Sequence, residues 1–263
     1  MYKNYLIIAS KKDFAGMNII NQLSQFGTFN TYLVDDEVIY NGSIDTEKIN
    51  KFDFVIFASK HQSEKKEKTL SIHAPGNWKN AKYGGEIGKV CPSSAIFQKQ
   101  LFQKLKFNAE FFHLKSYQLT LEATHHGPLI EKPCVFIEIG STETEWRDRK
   151  AGFIVAKTIA DILVEYRENP YNEIVVGIGG PHYCPNFNKL QLESNIAVSH
   201  VIPEYALPLT EEIIQEAISK TAEEVDFVVL DWKGIGNSEQ RQDILKILDK
   251  LYIRHKRASD IGR

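Results

Sequence analysis

The chain has 263 residues, 43% of them hydrophobic, enough to bury a sizeable core as one large domain. With 32 basic against 34 acidic side chains the formal net charge is -2, which excludes the uniform field of a nucleic-acid coat protein or an acidic tail protein and leaves room only for a local basic patch. Cys91, Cys134 and Cys184 are odd in number and widely spaced, so they form neither a disulfide framework nor a paired-cysteine zinc knuckle, and no apolar run approaches the ~18 residues of a membrane span. A soluble, cytoplasmic protein that touches no membrane is the expectation.

In chain order, residues 5 to 9 read as a buried strand, too short for a signal peptide, and 15 to 26 as a helix with apolar positions three or four apart. Residues 53 to 58 form a second apolar run. Residues 59 to 93 are the least regular stretch, with the charge run Lys60 to Lys68, and are expected to be a functional loop region. A helix over 94 to 106 precedes residues 116 to 122, whose apolar-polar alternation suggests a strand with one wetter face that pairs antiparallel. Strand 134 to 139, helix 148 to 166, strand 173 to 178, helix 210 to 222, strand 226 to 230 and helix 238 to 254 complete the pattern, with Thr210 and Ser238 as N-caps. This alternation predicts an α/β three-layer sandwich with a mixed, mostly parallel sheet. No repeat or Ser/Gly linker is visible, so residues 1–263 read as a single hydrolytic domain.

Four of the histidine-bearing segments stand out: His73-Ala74-Pro75-Gly76-Asn77-Trp78, Glu122-Ala123-Thr124-His125-His126-Gly127-Pro128, Gly177-Ile178-Gly179-Gly180-Pro181-His182-Tyr183-Cys184-Pro185, and the isolated His200. In the first three the histidine is framed by Gly and Pro, which fix backbone direction at turns, and imidazole is the side chain that titrates near neutrality. Adjacent strand residues point to opposite faces, so His125 and His126 reach one ion only if the chain turns there, as Gly127 and Pro128 allow. His73, His125, His126 and His182 with the carboxylate Glu138 are thus candidate metal ligands, although no HExxH-type spacing is present and exposed or hydrogen-bonded histidines remain the plainer reading.

Glu138 and Glu143 follow one strand and the Gly177 to His182 loop another, and in open α/β sheets such carboxyl ends converge on a ligand crevice. A dinucleotide fingerprint is disfavoured, because Pro181 and His182 stand where a helix should start. Cys184 reads as a small buried side chain before a nucleophile. Trp78 and Tyr83 could stack on a base but more often such aromatics pack their own loop, and Lys233, in Asp231-Trp232-Lys233-Gly234, either faces the crevice or caps the sheet. The Lys60 to Lys68 run and the terminal Arg254 to Arg257 run could touch phosphates; a solvated face is the plainer reading of each.

Taken together, HAPGNW, LEATHHGP, FIEIGSTETEW and GIGGPHYCPNF resemble the D-aminoacyl-tRNA deacylase family of archaeal and plant type, over most of the chain. The resemblance implies a fold like that of the phosphorylase and peptidyl-tRNA hydrolase group, zinc dependence, and hydrolysis of the ester joining a D-amino acid or glycine to the 3' end of tRNA. Such an ester is already an activated acyl group, so a positioned water, a base or metal, and oxyanion donors suffice. His125, His126 or Glu143 would then move the proton, and the N–H groups of Gly179 and Gly180 would receive the oxyanion. Trp78, Gly76, Pro181 and Lys233 would contact substrate, with Pro75, Gly76 and Pro181 as a wall against the L-form. Aminoacyl-tRNA is the expected partner, DNA is not, and the enzyme is expected to act as a monomer. A zinc aminopeptidase or carboxypeptidase and a non-catalytic tRNA-binding module are the competing readings.

Overall fold

Strand alternation decides which side chains meet. The computed structural model describes residues 2–168, 170, 171 and 173–262. It places β1 (Tyr5–Ser10), β2 (Thr31–Val34), β3 (Phe54–Gln62) and β4 (Thr69–His73) in one sheet with the later β7 (Gln118–Leu121) and β8 (Cys134–Ser141), in the order β2-β1-β3-β8-β4-β7. β5 (Gly76–Asn77) and β6 (Lys89–Val90) form a small ribbon. A second sheet, ordered β10-β9-β11-β12, is all parallel and contains β9 (Glu173–Ile178), β10 (Ile196–Ile202), β11 (Phe227–Leu230) and β12 (His255–Arg257).

The helices are α1 (Phe14–Leu23), α2 (Thr46–Ile49), α3 (Ala95–Phe111), α4 (Glu143–Trp146), α5 (Arg149–Glu165), α6 (Pro185–Glu193), α7 (Glu211–Ser219) and α8 (Ser238–Lys250). Short polar side chains start them by accepting orphan N–H groups: Asp13 for α1, Ser94 for α3, Asp148 for α5 and Thr210 for α7. For α8 the cap is Asn237 in a capping box with Gln240, one residue before the expected Ser238.

The expected mixed, mostly parallel α/β architecture is present, with two differences. The strand at 118–121 pairs parallel with β4, and the antiparallel step lies one strand inward, between β4 and β8. The stretch 59–93 holds the end of β3 and all of β4, whose Leu70 and Ile72 join the main core. In β4 the apolar side chains alternate with Thr69, Ser71 and His73, so a five-residue strand hides inside a polar-looking segment.

The four-stranded sheet is covered on both faces. Val175, Val198, Phe227 and Val229 pack with Phe187 and Leu190 of α6, while Val176, Ile202, Val228 and Leu230 pack with Ile214 of α7 and Ile244 and Leu248 of α8. Strands so buried read as continuous Val/Ile runs. No helix among the described residues is long and apolar enough to cross a membrane.

Lys99 of α3 is fully buried, and its Nζ donates to the carbonyls of Leu190, Gln191 and Ser194 at 3.3, 2.6 and 2.9 Å. Those oxygens lie at the C-terminal end of α6, where a cation is also favoured by the helix dipole. Lys99→Met removes the charged donor from all three carbonyls and leaves Ser194 O without a side-chain partner, while Leu190 O keeps the Ser194 N–H and Gln191 O keeps the Gln103 amide at 3.3 Å. Urea unfolding is expected to show a loss of about 2–3 kcal/mol, since a hydrogen bond to a charged group contributes ~1.5–3 kcal/mol.

Candidate metal-binding active site

One face of the six-stranded sheet carries the site. On β8, Glu138 points the same way as Phe136. Glu138 is in register with Ser59 of β3 on one side and Ser71 of β4 on the other, so His61 and His73, each two residues further along its strand, emerge on that same face. β7 extends the pattern: the Glu122 N–H donates to Ile72 O at 2.9 Å, which sets its carboxylate beside His73.

The His125-His126 pair converges because the backbone turns. His126 has φ +40°, a left-handed conformation, and the Gly76 N–H donates to His126 O at 2.6 Å. Gly76 is required there by close approach, since a Cβ would lie 2.3 Å from Val90 Cγ1. His182 arrives from the second sheet, and its carbonyl accepts the Ala123 N–H at 2.8 Å.

The imidazoles expected to meet do so. Ring centroids lie 4.1 Å apart for His73 and His125, 4.7 Å for His73 and His126, 4.2 Å for His125 and His126, and 4.5 Å for His125 and His182. Phe136 forms an apolar floor, stacked on His73 at 5.0 Å and edge-on to His126 at 5.0 Å.

Hydrogen bonding fixes the tautomers. His73, His125 and His126 each donate Nδ1–H to a carbonyl, of Ala74, Ala123 and Gly127, at 3.2, 2.8 and 3.1 Å. Carbonyls only accept, so in the neutral ring each Nε2 keeps its lone pair, the arrangement that orients histidine ligands in metal sites. The Nε2 of His73 stands 3.7 Å from Glu138 Oε2, and the Nε2 atoms of His125 and His182 stand 3.6 and 3.7 Å from Glu122 Oε2. These separations are too long for hydrogen bonds. Ligands about 2.1 Å from one tetrahedral ion lie roughly 3.4 Å apart, so the spacing suits a shared cation.

His73 Nε2, both Glu122 oxygens and Glu138 Oε1 are buried without a hydrogen-bond partner. Unpaired buried charge is costly, and a cation among these atoms would satisfy them together. Three ligand triads have their donor atoms within 4.8 Å of one another: His73, His125 and His126; Glu122, His125 and His182; His61, Glu122 and Glu138. The residues present therefore fit a bound metal.

Electrostatics agrees with that chemistry. Burial, reinforced by the neighbouring histidines, lowers His125 well below its ordinary value, His126 to about 3 and His182 to about 4, so all three are neutral at pH 7, the form that ligates metals. Burial also opposes ionisation of the two carboxyls, with different outcomes. The neighbouring imidazoles of His61 and His73 override it at Glu138 and hold that group below the usual carboxylate range, whereas Glu122 is pushed up to about 7, with the Glu138 charge adding to burial. His61 is raised despite its burial by the neighbouring Glu138 and Glu122 carboxyls. Its Nδ1 lies 3.1 Å from Glu122 Oε1, and its Nε2 meets the Tyr183 hydroxyl at 3.0 Å.

Other expected residues fall elsewhere. Glu143 is exposed at the start of α4 and pairs with Arg147 at 2.7 Å. The N–H groups of Gly179 and Gly180 donate to Ile202 O and Gly234 O at 2.8 and 2.9 Å, so neither is free for an oxyanion. Trp78 is buried beside His200 in the core of the second sheet, unable to stack on a substrate base. Gly76 is buried under Val90, Pro181 is exposed next to His182, and Lys233 is exposed beyond β11. Cys184 is buried with its thiol on Pro181 O and His182 O, and burial raises it well above the ordinary thiol range, which leaves it inert as a nucleophile.

His61 was hidden by the charge run that follows it, although the alternation Val55, Phe57, Ser59, His61 carries it on one face of β3. Glu122 stood beside the histidine pair but was not counted among the ligands.

Over residues 48–256 the chain matches the family described as D-aminoacyl-tRNA deacylase. The chain belongs to that family. Among relatives of the same name, one from Thermococcus onnurineus is 36% identical over 94% of this chain and 97% of its own. Another, from Methanocaldococcus jannaschii, is 34% identical over 91% of this chain and 94% of its own. A crystal structure of a conserved protein of unknown function superposes with a TM-score of 0.88 and 27% identity, over 98% of this chain and 96% of that one. The resemblance drawn from the four motifs is thereby borne out, and the deacylase-family motifs are the segments that deliver His73, Glu122, His125, His126, Glu138 and His182 to one place.

A divalent cation such as Zn2+ is expected to raise the thermal unfolding midpoint of this deacylase-family chain, because at about 100 times its Kd a ligand adds ~2.7 kcal/mol to the native state. His125→Ala, which removes a donor common to two triads, is expected to abolish most of that shift in differential scanning calorimetry.

Proposed function

We propose that this chain hydrolyses the ester between a D-amino acid, or glycine, and tRNA, releasing both and so removing misacylated tRNA before translation uses it. Family membership supports the reaction class. The observation that carries the reading here is a set of imidazoles facing two buried carboxyls across gaps of 3.6–3.7 Å on an apolar floor.

Zinc is the metal this donor set suits, since His and Glu ligands with room for a solvent molecule characterise catalytic zinc sites. His73, His125, His126, His182, Glu122 and Glu138 would hold it. When bound, such an ion lowers the pKa of water toward ~7 and polarises an acyl oxygen.

The rest falls to the chain's own groups. In the balanced reaction, water adds to the acyl carbon, the bond to the tRNA oxygen breaks, and one proton passes from water to the departing tRNA hydroxyl. His61 is placed to move that proton, between the Glu122 carboxylate at Nδ1 and the Tyr183 hydroxyl at Nε2. The His125 and His126 bonds to Ala123 O and Gly127 O keep their rings from swinging, so the reacting geometry is set before substrate arrives. Inverting the α-carbon exchanges hydrogen and side chain, and the rigid Pro181, exposed beside His182, supplies a wall against one of the two arrangements. Glycine has no side chain to be refused. The reading takes the chain as one hydrolytic domain acting as a monomer in the cytoplasm.

Steady-state hydrolysis of matched D- and L-aminoacyl-tRNA tests the reading: turnover of the D-form with little of the L-form is expected, and equal rates would overturn the chiral assignment. His125→Ala is expected to lower kcat/KM by at least about 100-fold, the scale of losing a metal ligand or proton-transfer group. Exhaustive chelation should abolish activity and zinc should restore it; activity that survives metal removal would defeat the metal reading.

A further inference from the structure

The parallel sheet β10-β9-β11-β12 has a switch point. From β9 the chain passes through α6 to β10 on one side, then through α7 to β11 on the other, and these helices pack on opposite faces. Doubly wound sheets leave a crevice outside the carboxyl ends of the two strands where the order reverses, and ligands bind there. Beside that crevice, at the carboxyl ends of β11 and β12, lies a cavity of about 440 Å3, lined by α6, by the segment after β11 and by Arg257 at the end of β12 with the residues that follow it.

Lys189, Lys233 and Arg257 converge on this cavity from those three separate segments. No ion pair engages any of them among the described residues, whereas Lys220, Lys250 and Lys256 nearby in sequence each hold a carboxylate. The Arg257 guanidinium lies 4.0 Å from the centroid of the Trp232 ring, which fixes its plane and leaves its edge N–H groups available. Two acids also line the cavity. Asp231 is buried and accepts the Gly234 N–H, and Glu193 is exposed at the end of α6.

The cavity is physically joined to the histidine cluster. Gly180, two residues before His182, packs against its floor, so that a Cβ there would lie 2.9 Å from Asp231 Oδ2. Helix α6 presents Asn186, Lys189, Leu190 and Glu193 to the cavity, while Asn188 bonds Tyr183 O at 2.9 Å and Thr120 Oγ1 at 3.1 Å, beside Glu122. With a formal net charge of -2 the molecule as a whole does not attract a polyanion, so any phosphate contact has to be local.

We propose that this switch-point cavity holds the backbone phosphates of the tRNA's 3'-terminal segment, with Lys189, Lys233 and Arg257 as the phosphate-binding groups. The proposal rests on the deacylase reading and supplies its missing nucleic-acid contact. It also gives a role to Lys233 and to one residue of the basic run at 254–257.

Fluorescence anisotropy with labelled, uncharged tRNA over a series of KCl concentrations tests it. Lys189→Gln and Lys233→Gln are each expected to weaken binding several-fold and to lower the slope of log Kd against log salt by about 0.7, the loss of one single-strand phosphate contact. Lys246→Gln, on the exposed face of α8, is the control and leaves both quantities unchanged. Lys189 is an exposed helix side chain, and circular dichroism confirms that its variant is folded. Wild-type affinity and slope in both folded variants would overturn the proposal. Failure of the wild-type protein to hydrolyse D-aminoacyl-tRNA would instead overturn the activity reading, because the anisotropy experiment needs no turnover.

Discussion

Carbonyl oxygens that accept from the Nδ1 atoms of His73, His125 and His126 are the constraint on which the site depends. Each bond decides a tautomer, and the tautomers decide that lone pairs rather than protons face the buried carboxylates. Without a cation this is an unfavourable arrangement, since imidazole nitrogen and carboxylate oxygen repel in a dry environment. Phe136 closes one side of the cluster, and its position two residues before Glu138 on β8 means that one strand supplies both the floor and an acid. The neutral His125, His126 and His182 follow from that burial, whereas the carboxyls divide because His61 and His73 oppose it at Glu138.

The two sheets contribute differently. His61, His73, Glu122 and Glu138 come from adjacent strands of the mixed sheet, where register fixes their separations to within a residue step. His182 comes from a loop of the parallel sheet and is docked by backbone bonds across the seam, Ala123 N to His182 O and Thr124 N to Val201 O. Lys99 secures the far end of α6 to α3. The parallel sheet thus presents its loops to a site whose ligands are mostly built elsewhere.

Much of the fold was legible because burial leaves a period in the sequence. The Val/Ile run of β9 coincides with the expected 173–178, and Thr210 caps α7 as its position suggests. Other elements left weaker traces. β10 is fully buried but interrupted by Ser199 and His200, whose partners Thr221 and Thr124 become visible only in three dimensions. α6 begins after Cys184 in a left-handed conformation and is mostly polar, so no apolar stripe announces it. In the site, the histidines were readable from their Gly and Pro frames, yet Gly179 and Gly180 were misjudged. A glycine-rich loop looks available for ligand contact until its N–H groups are found bonded to Ile202 and Gly234.

Helix α6 is anchored at both ends and lies between the basic cavity and the loop that carries His182. A nucleic-acid chain gripped on one flank of that helix would press on the loop of His182 through a single rigid rod. Binding energy from parts of a substrate remote from the scissile bond can then be spent on aligning the reacting atoms. Short amino-acid esters that reach only the imidazoles would therefore forfeit speed as well as affinity, which makes the length of the attached polymer a determinant of turnover.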